Sequence, residues 1–141
     1  MRIRTLRGRV DALTVKRLIV DDGQFNHGMK VKEFHLWATS HGGSRDVEAS
    51  LGLDFDLGAT WDASDNRQIA WAAQTNSAAA GSEGSFQFSL IDPDHIVIKD
   101  LYINNFGANV ANYMVILEPV TLSDDQAILQ LIKERSQDDL R

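Results

Sequence analysis

Four histidines, His27, His35, His41 and His95, are the side chains in this 141-residue chain best suited to acid–base or metal chemistry. None stands in an HxH or HExxH spacing, and the chain holds no cysteine that could add a thiolate ligand. In KVKEFHLW, Glu33 and His35 lie two residues apart, the spacing that sets both on one face of a strand together with Trp37. A Glu–His pair so placed can act as an acid–base couple, and it can equally be a polar patch beside a packed tryptophan. The acidic clusters Asp54-Phe55-Asp56 and Asp62-Ala63-Ser64-Asp65-Asn66 have the composition of a calcium loop. They lack its glycine at the sixth position and its glutamate at the twelfth, and loop Asp and Asn of this kind form Asx-turns. No GxSxG elbow, Walker A loop or GxGxxG is present. The expectation is a protein with no catalytic residues, no cofactor and no metal. Trp37, Trp61 and Trp71, with Tyr102 and Tyr113, could form a sugar-stacking platform, or they could serve core or inter-subunit packing.

The elements that must position these residues are strands. Apolar residues alternate with polar ones in VEASLGLDF, where Val47, Ala49, Leu51, Leu53 and Phe55 share a face. The same rule puts Phe86, Phe88 and Leu90 together in SFQFSLID. HIVIKDLYIN alternates less cleanly, and YMVILE is apolar on both faces, as a doubly covered strand would be. Eight strands are predicted, near 2–9, 13–20, 30–38, 46–56, 67–73, 85–91, 95–104 and 111–118. The apolar phase shifts around Glu33, which suggests a β-bulge or a strand that changes sheets. Turn chemistry at Asp21-Asp22-Gly23, Asn26-His27-Gly28, His41-Gly42-Gly43-Ser44 and Asp92-Pro93-Asp94 separates the strands, and NSAAAGSEG (76–84) reads as a mobile loop. Strands without interposed helices give an all-β, antiparallel sandwich or barrel, and an antiparallel β-sandwich is the expectation. Eight is also the strand count of a jelly roll, and spacing does not separate the two.

A single domain is expected, with residues 1–122 as the β body and 123–138 as a closing amphipathic helix of the same domain. Ser123 and Gln126 have capping-box spacing, and Leu122 with Ala127 forms a weak hydrophobic staple. Asp124 and Asp125 suit the positive end of the helix dipole, and Lys133 and Arg135 the negative end. Ile128, Leu131 and Ile132 make an apolar stripe, with Leu129 to one side. A helix of this length is marginal alone in water, so the stripe is expected to bury itself on the sandwich or on a second chain. Burial of three or four large aliphatics is worth on the order of 5–9 kcal/mol before entropy costs.

Charge is uneven. Arg2, Arg4, Arg7, Arg9, Lys16 and Arg17 against Asp11 put the first 20 residues at +5, leaving −11 on the rest of a chain whose net charge is −6. Such a segment can be a nucleic-acid arm, a charge-protected edge strand or a grip for an acidic protein surface. The opening MRIRTLRGRV is not a secretory signal, and no segment approaches the roughly 20 apolar residues of a membrane span. Folding in the cytoplasm is the default expectation.

The stretch SLIDPDHIVIKDLYINNFGANVANYMVILEPVTLSDDQAILQLIKERSQD resembles small structural proteins of tailed bacteriophage particles, of the capsid cement or decoration kind. The features that carry the likeness are DPDH followed by IVIKDLYI, then NYMVILE, then SDDQAILQLIKERSQD. The opening MRIRTLRGRV…RLIVDDGQFNHGMKVKEFHLW fits more loosely. The resemblance implies a sandwich or jelly roll that binds an assembled shell in many copies and reinforces its subunit junctions without catalysis. Its implied partner is the major capsid protein, its place the capsid surface of the virion. Homo-oligomerisation is expected, with a trimer the natural form at symmetric lattice positions, and no specific nucleic acid is bound. The expected contacts are Arg2, Arg4, Arg7 and Arg9 at one end and Ile128, Leu131 and Ile132 at the other. The alternatives are another virion part, such as a head-fibre base or tail component, and a carbohydrate-binding sandwich using its tryptophans.

Overall fold

A computed structural model describes residues 3–20, 23, 26–40, 45–55, 58, 60–77 and 84–138. Among the described residues eight strands precede one helix: β1 (Arg4–Val10), β2 (Thr14–Ile19), β3 (His27–Ala38), β4 (Arg45–Gly52), β5 (Gln68–Ser77), β6 (Gly84–Ile91), β7 (Asp100–Asn105), β8 (Ala111–Thr121) and α1 (Asp124–Asp138). They form two antiparallel sheets, β1-β8-β3 and β2-β7-β4-β5-β6, packed as a sandwich. The expected fold class, strand number and closing helix are all present.

Alternation explains which side chains fill the space between the sheets. From the three-stranded sheet come Val10, Met29, Val31, Phe34, Leu36, Tyr113, Val115 and Leu117; from the five-stranded sheet, Leu18, Val47, Ala49, Leu51, Ala70, Ala72, Leu101 and Ile103. The β-bulge expected near Glu33 lies between Val31 and Glu33. Its effect is visible in the numbering. Odd positions 29 and 31 point inward before it and even positions 34, 36 and 38 after it, so both halves of β3 feed one core. Gly8 sits opposite Tyr113, and a β-carbon there would lie 3.0 Å from the phenol oxygen, so the missing side chain is what admits the ring.

The strand order is that of a jelly roll with one pairing absent. Rolling an eight-stranded antiparallel ribbon pairs strands 1·8, 2·7, 3·6 and 4·5. Here β1·β8, β2·β7 and β4·β5 pair, whereas β6 stays on its hairpin partner β5. Two side chains stand in for the absent β3·β6 ladder. Ser89 Oγ on β6 donates to Phe34 O (2.6 Å), and the Ala38 N–H donates to Gln74 Oε1 on β5 (2.8 Å).

Several boundaries differ from expectation. The seventh strand starts at Asp100 instead of 95, because residues 95–99 cross between the sheets. Val97 exchanges backbone hydrogen bonds with Met29 (2.7 and 2.8 Å), and Ile98 packs with Leu122 and Ala127. This crossing is why HIVIKDLYIN alternates poorly. β4 ends at Gly52, and Phe55, beyond the strand, is 63% exposed with its ring edge-on to Tyr102. The outer face of β8 is half-buried at Met114 and Ile116, not fully covered. Residues 21, 22, 41–44 and 78–83, which include most of three expected loops and His41, lie outside the described residues, as does Asp56.

α1 begins as its sequence predicts. The Ser123 N–H donates to Gln126 Oε1 (3.0 Å) and the Gln126 N–H to Ser123 Oγ (3.2 Å), closing the capping box. Leu122 and Ala127 meet in a small second core with Ile98. At the end of β7, the fully buried Asn105 binds the turns together. Its Nδ2 donates to Val10 O, Asp11 O and Asn109 O (3.3, 3.2 and 2.9 Å), and its Oδ1 accepts from the Gly107 N–H (3.1 Å). Replacing it leaves several backbone groups without that amide in a site closed to water. Asn105→Ala is expected to lower unfolding free energy by about 3 kcal/mol in urea denaturation, and a loss below about 0.5 kcal/mol would contradict this hub.

Candidate functional site

β6 carries one of the clearest alternating patterns in the chain, yet its apolar face points away from the core. Antiparallel register sets Leu90 beside Trp71, Phe88 beside Ala73 and Phe86 beside Thr75, all on the outer face of the five-stranded sheet. The opposite face, toward β3, bears Gln87, Ser89 and Ile91, in register with Gln74, Ala72 and Ala70. Phe86 is 60% and Leu90 56% exposed. Large exposed apolar side chains gathered in one patch are the informative exception on a protein surface.

Over this face folds the segment between β4 and β5, which brings Trp61 onto the sheet. Trp61, Ala63, Trp71, Phe88 and Leu90 line an open cleft of about 240 Å³. The Trp61 ring lies 5.4 Å from that of Phe88 and 6.5 Å, edge-on, from that of Phe106. Both indole donors are spent internally. Trp61 Nε1 donates to Ala49 O (3.1 Å) and Trp71 Nε1 to Gln68 Oε1 (2.8 Å). Gln68, 4% exposed, also accepts from the Asp62 N–H (2.9 Å) and donates through Nε2 to Thr60 O (3.1 Å). One buried amide therefore fixes the residues on either side of Trp61 and orients Trp71.

Charge pairing holds the same segment. Arg67 donates to Asp65 through Nε (2.9 Å) and Nη2 (2.7 Å), and through Nη1 to the buried Asp54 (3.4 Å). The hydrogen bonds to Asp65 lead in raising the guanidinium's pKa further above its ordinary value, against the opposing effect of burial. The acidic clusters act as local structure. Asp62 Oδ1 accepts from the Ser64 N–H (3.0 Å) and Asp65 Oδ1 from the Arg67 N–H (3.0 Å), both Asx-turns. Among the described residues no group of three or more His, Asp or Glu is arranged to hold a metal ion.

The other residues singled out in the sequence are dispersed. His35 Nε2 and Glu33 Oε1 are 3.0 Å apart on the exposed outer face of the three-stranded sheet, with Trp37 further along the same strand face. The three tryptophans thus divide: Trp61 and Trp71 share the cleft, and Trp37 stands on the other sheet. Tyr113 is core, under Lys16 at 5.3 Å from its ring centre, and His95 is buried. The N-terminal arginines do not form one patch. Arg7 and Arg9 project outward, whereas Arg4, of opposite parity, donates to Val20 O (3.0 Å); Arg2 lies outside the described residues. On α1, Ile128 (47%) and Ile132 (55%) are exposed instead of buried on the sandwich, and the side chain of Leu131 lies outside the description. The helix is attached through Ala127 and by Gln130 Nε2 donating to Ile96 O (2.7 Å). No described helix is long and apolar enough to cross a membrane. Scanned against protein-family models, curated proteins and solved structures, the chain matches none of them.

Sequence reasoning found the apolar strand and the tryptophans but missed Gln68, since an isolated glutamine at a strand start carries no motif. Gln68→Ala is expected to cost about 2–4 kcal/mol, as three groups lose a buried partner. It should also red-shift tryptophan emission as Trp61 and Trp71 loosen; unchanged emission and stability would show that this amide does not organise the cleft.

Proposed function

We propose that the chain is a non-enzymatic structural protein of a tailed-phage virion, a cement protein that binds the assembled capsid shell and reinforces its subunit junctions. The observation that carries this reading is the cleft beside β6. It is apolar, it is braced from below by hydrogen bonds, and its indole donors are committed inward. A surface with these properties suits the seating of apolar side chains from another protein. Catalysis needs a polar group presented to a substrate, and the cleft's lining side chains are all apolar. The strand order gives fold-level support only, because jelly rolls recur in viral shells and also in lectins and cupins. Arg7 and Arg9, on the far sheet, offer fixed positive charge to an acidic neighbour, so the body has two grips of different chemistry on opposite faces. A clip of that kind holds a lattice even when each contact is weak, because the sites it bridges are held at fixed spacing.

A carbohydrate-binding role is the second reading, favoured by the meeting of Trp61 and Trp71. Sugar rings stack on such rings but also need hydrogen-bond partners beside them, and the five cleft-lining side chains offer few. Titration with a glycan panel, read by tryptophan emission, distinguishes the two readings.

The direct test is co-sedimentation with heads assembled from the major capsid protein of the same genome. Saturable binding at a fixed stoichiometry, with increased heat resistance of the heads, is expected. Protein that stays in the supernatant at about 10 µM would overturn the reading. Phe86→Ser with Leu90→Ser should reduce head binding at least about tenfold while changing stability by no more than about 0.5 kcal/mol, since both side chains are already largely in water.

A further inference from the structure

Among the described side chains of α1, three aliphatic ones stand in solvent: Ile128 (47% exposed), Leu129 (67%) and Ile132 (55%). At about 100° per residue they lie together on the side of the helix opposite Ala127, the residue it buries on its own sandwich. An apolar stripe on a helix surface is a seam that lacks its partner. The charges along the helix indicate what that partner is. The first turn is acidic, Asp124 and Asp125, both exposed; further on the sequence has Lys133, Glu134, Arg135 and Asp138, of which Glu134 and Asp138 fall at helical positions on the Ala127 side and Lys133 and Arg135 nearer the stripe. A helix with this order of charges is complementary to a copy of itself running the other way. Antiparallel alignment sets each acidic first turn against positions 133 and 135 of the other copy and opposes the two helix dipoles, whereas parallel alignment would set acidic turn on acidic turn.

We infer that α1 of one copy packs antiparallel against α1 of a second copy about a two-fold axis passing close to position 130. That register places Ile128 of each copy across from Ile132 of the other and position 125 across from position 135. The interface is isologous, so each complementary contact occurs twice. Three aliphatic side chains per copy are far less than a standard interface contributes, so the free pair is weak, with a Kd on the order of 100 µM. Copies fixed on a lattice would pair more completely at the same intrinsic strength. The inference does not rest on shell binding, and it is tested without shells.

Sedimentation equilibrium of the full chain from about 10 µM to 1 mM should show a monomer–dimer equilibrium. Ile128→Asp and Ile132→Asp should each raise the dimer Kd more than tenfold. Their thermal unfolding should remain close to that of the unaltered chain, because both positions are already half in water. Asp125→Arg and Arg135→Asp should each abolish self-association, since each sets like charges together twice. An equimolar mixture of those two variants should recover it as a heterodimer. A chain that stays monomeric at 1 mM, one that forms trimers, a dimer indifferent to the Ile128 and Ile132 changes, or a mixture that fails to recover would each overturn the pairing.

Discussion

The two sheets have unequal width, and much of this molecule follows from that constraint. Three strands at a spacing of about 4.8 Å span roughly 10 Å between outer strand axes, and five span roughly 19 Å. The narrower sheet cannot roof the wider one. β8, flanked by β1 and β3, places Tyr113, Val115 and Leu117 in the core, where all are almost fully buried. β6, at the margin of the wider sheet, has among the described residues no hydrogen-bonded strand beside it other than β5. The free edge of β3 comes nearest, and the connection there is made by Ser89 and Gln74 side chains instead of a backbone ladder. With little core left on its inner side, β6 turns its polar residues inward and its aromatic ones out.

That inversion makes the outer face sticky, and the rest of the surface is arranged around it. The segment before β5 brings Trp61 over the sheet, Gln68 fixes it, and the Arg67 pairs with Asp54 and Asp65 fix the segment. Glu48, in register with Ala73, adds exposed negative charge on the same sheet face as Phe88, while Arg7 and Arg9 give the other sheet a positive one. The helix adds a third contact region, apolar in its middle and acidic at its start. These features are the basis of the proposed attachment to neighbouring proteins.

Much of the fold could be read from the sequence where residue type constrains the backbone directly. Strict alternation located β4 and β6, the phase change at Glu33 marked the bulge, and Ser123 with Gln126 set the start of α1. The failures have a common physical origin in tertiary context. Alternation in SFQFSLID shows that Phe86, Phe88 and Leu90 share a face, and cannot show which side of the sheet holds the core. The apolar residues of HIVIKDLYIN read as one strand because Val97 and Ile98 are buried, but they are buried in two different clusters. Ile128 and Ile132 have helical spacing, yet the short Ala127 is what meets the sandwich. The candidate site was half legible. Trp61 and Trp71 stood out by type, while their union with β6, and the role of Gln68 beneath them, depend on pairing between strands that no local pattern encodes.

The central claim is that β6 displays its aromatic face to solvent, and the absence of cysteine from the chain makes it directly measurable. Single-cysteine variants at Phe86 and Leu90, compared with one at Ala72 on the buried face of β5, can be reacted with a thiol reagent under native conditions. The account predicts that Phe86→Cys and Leu90→Cys react within about tenfold of the rate in denaturant, while Ala72→Cys is slowed by several orders of magnitude. Equal protection at all three positions would mean that β6 faces inward, and would contradict the account.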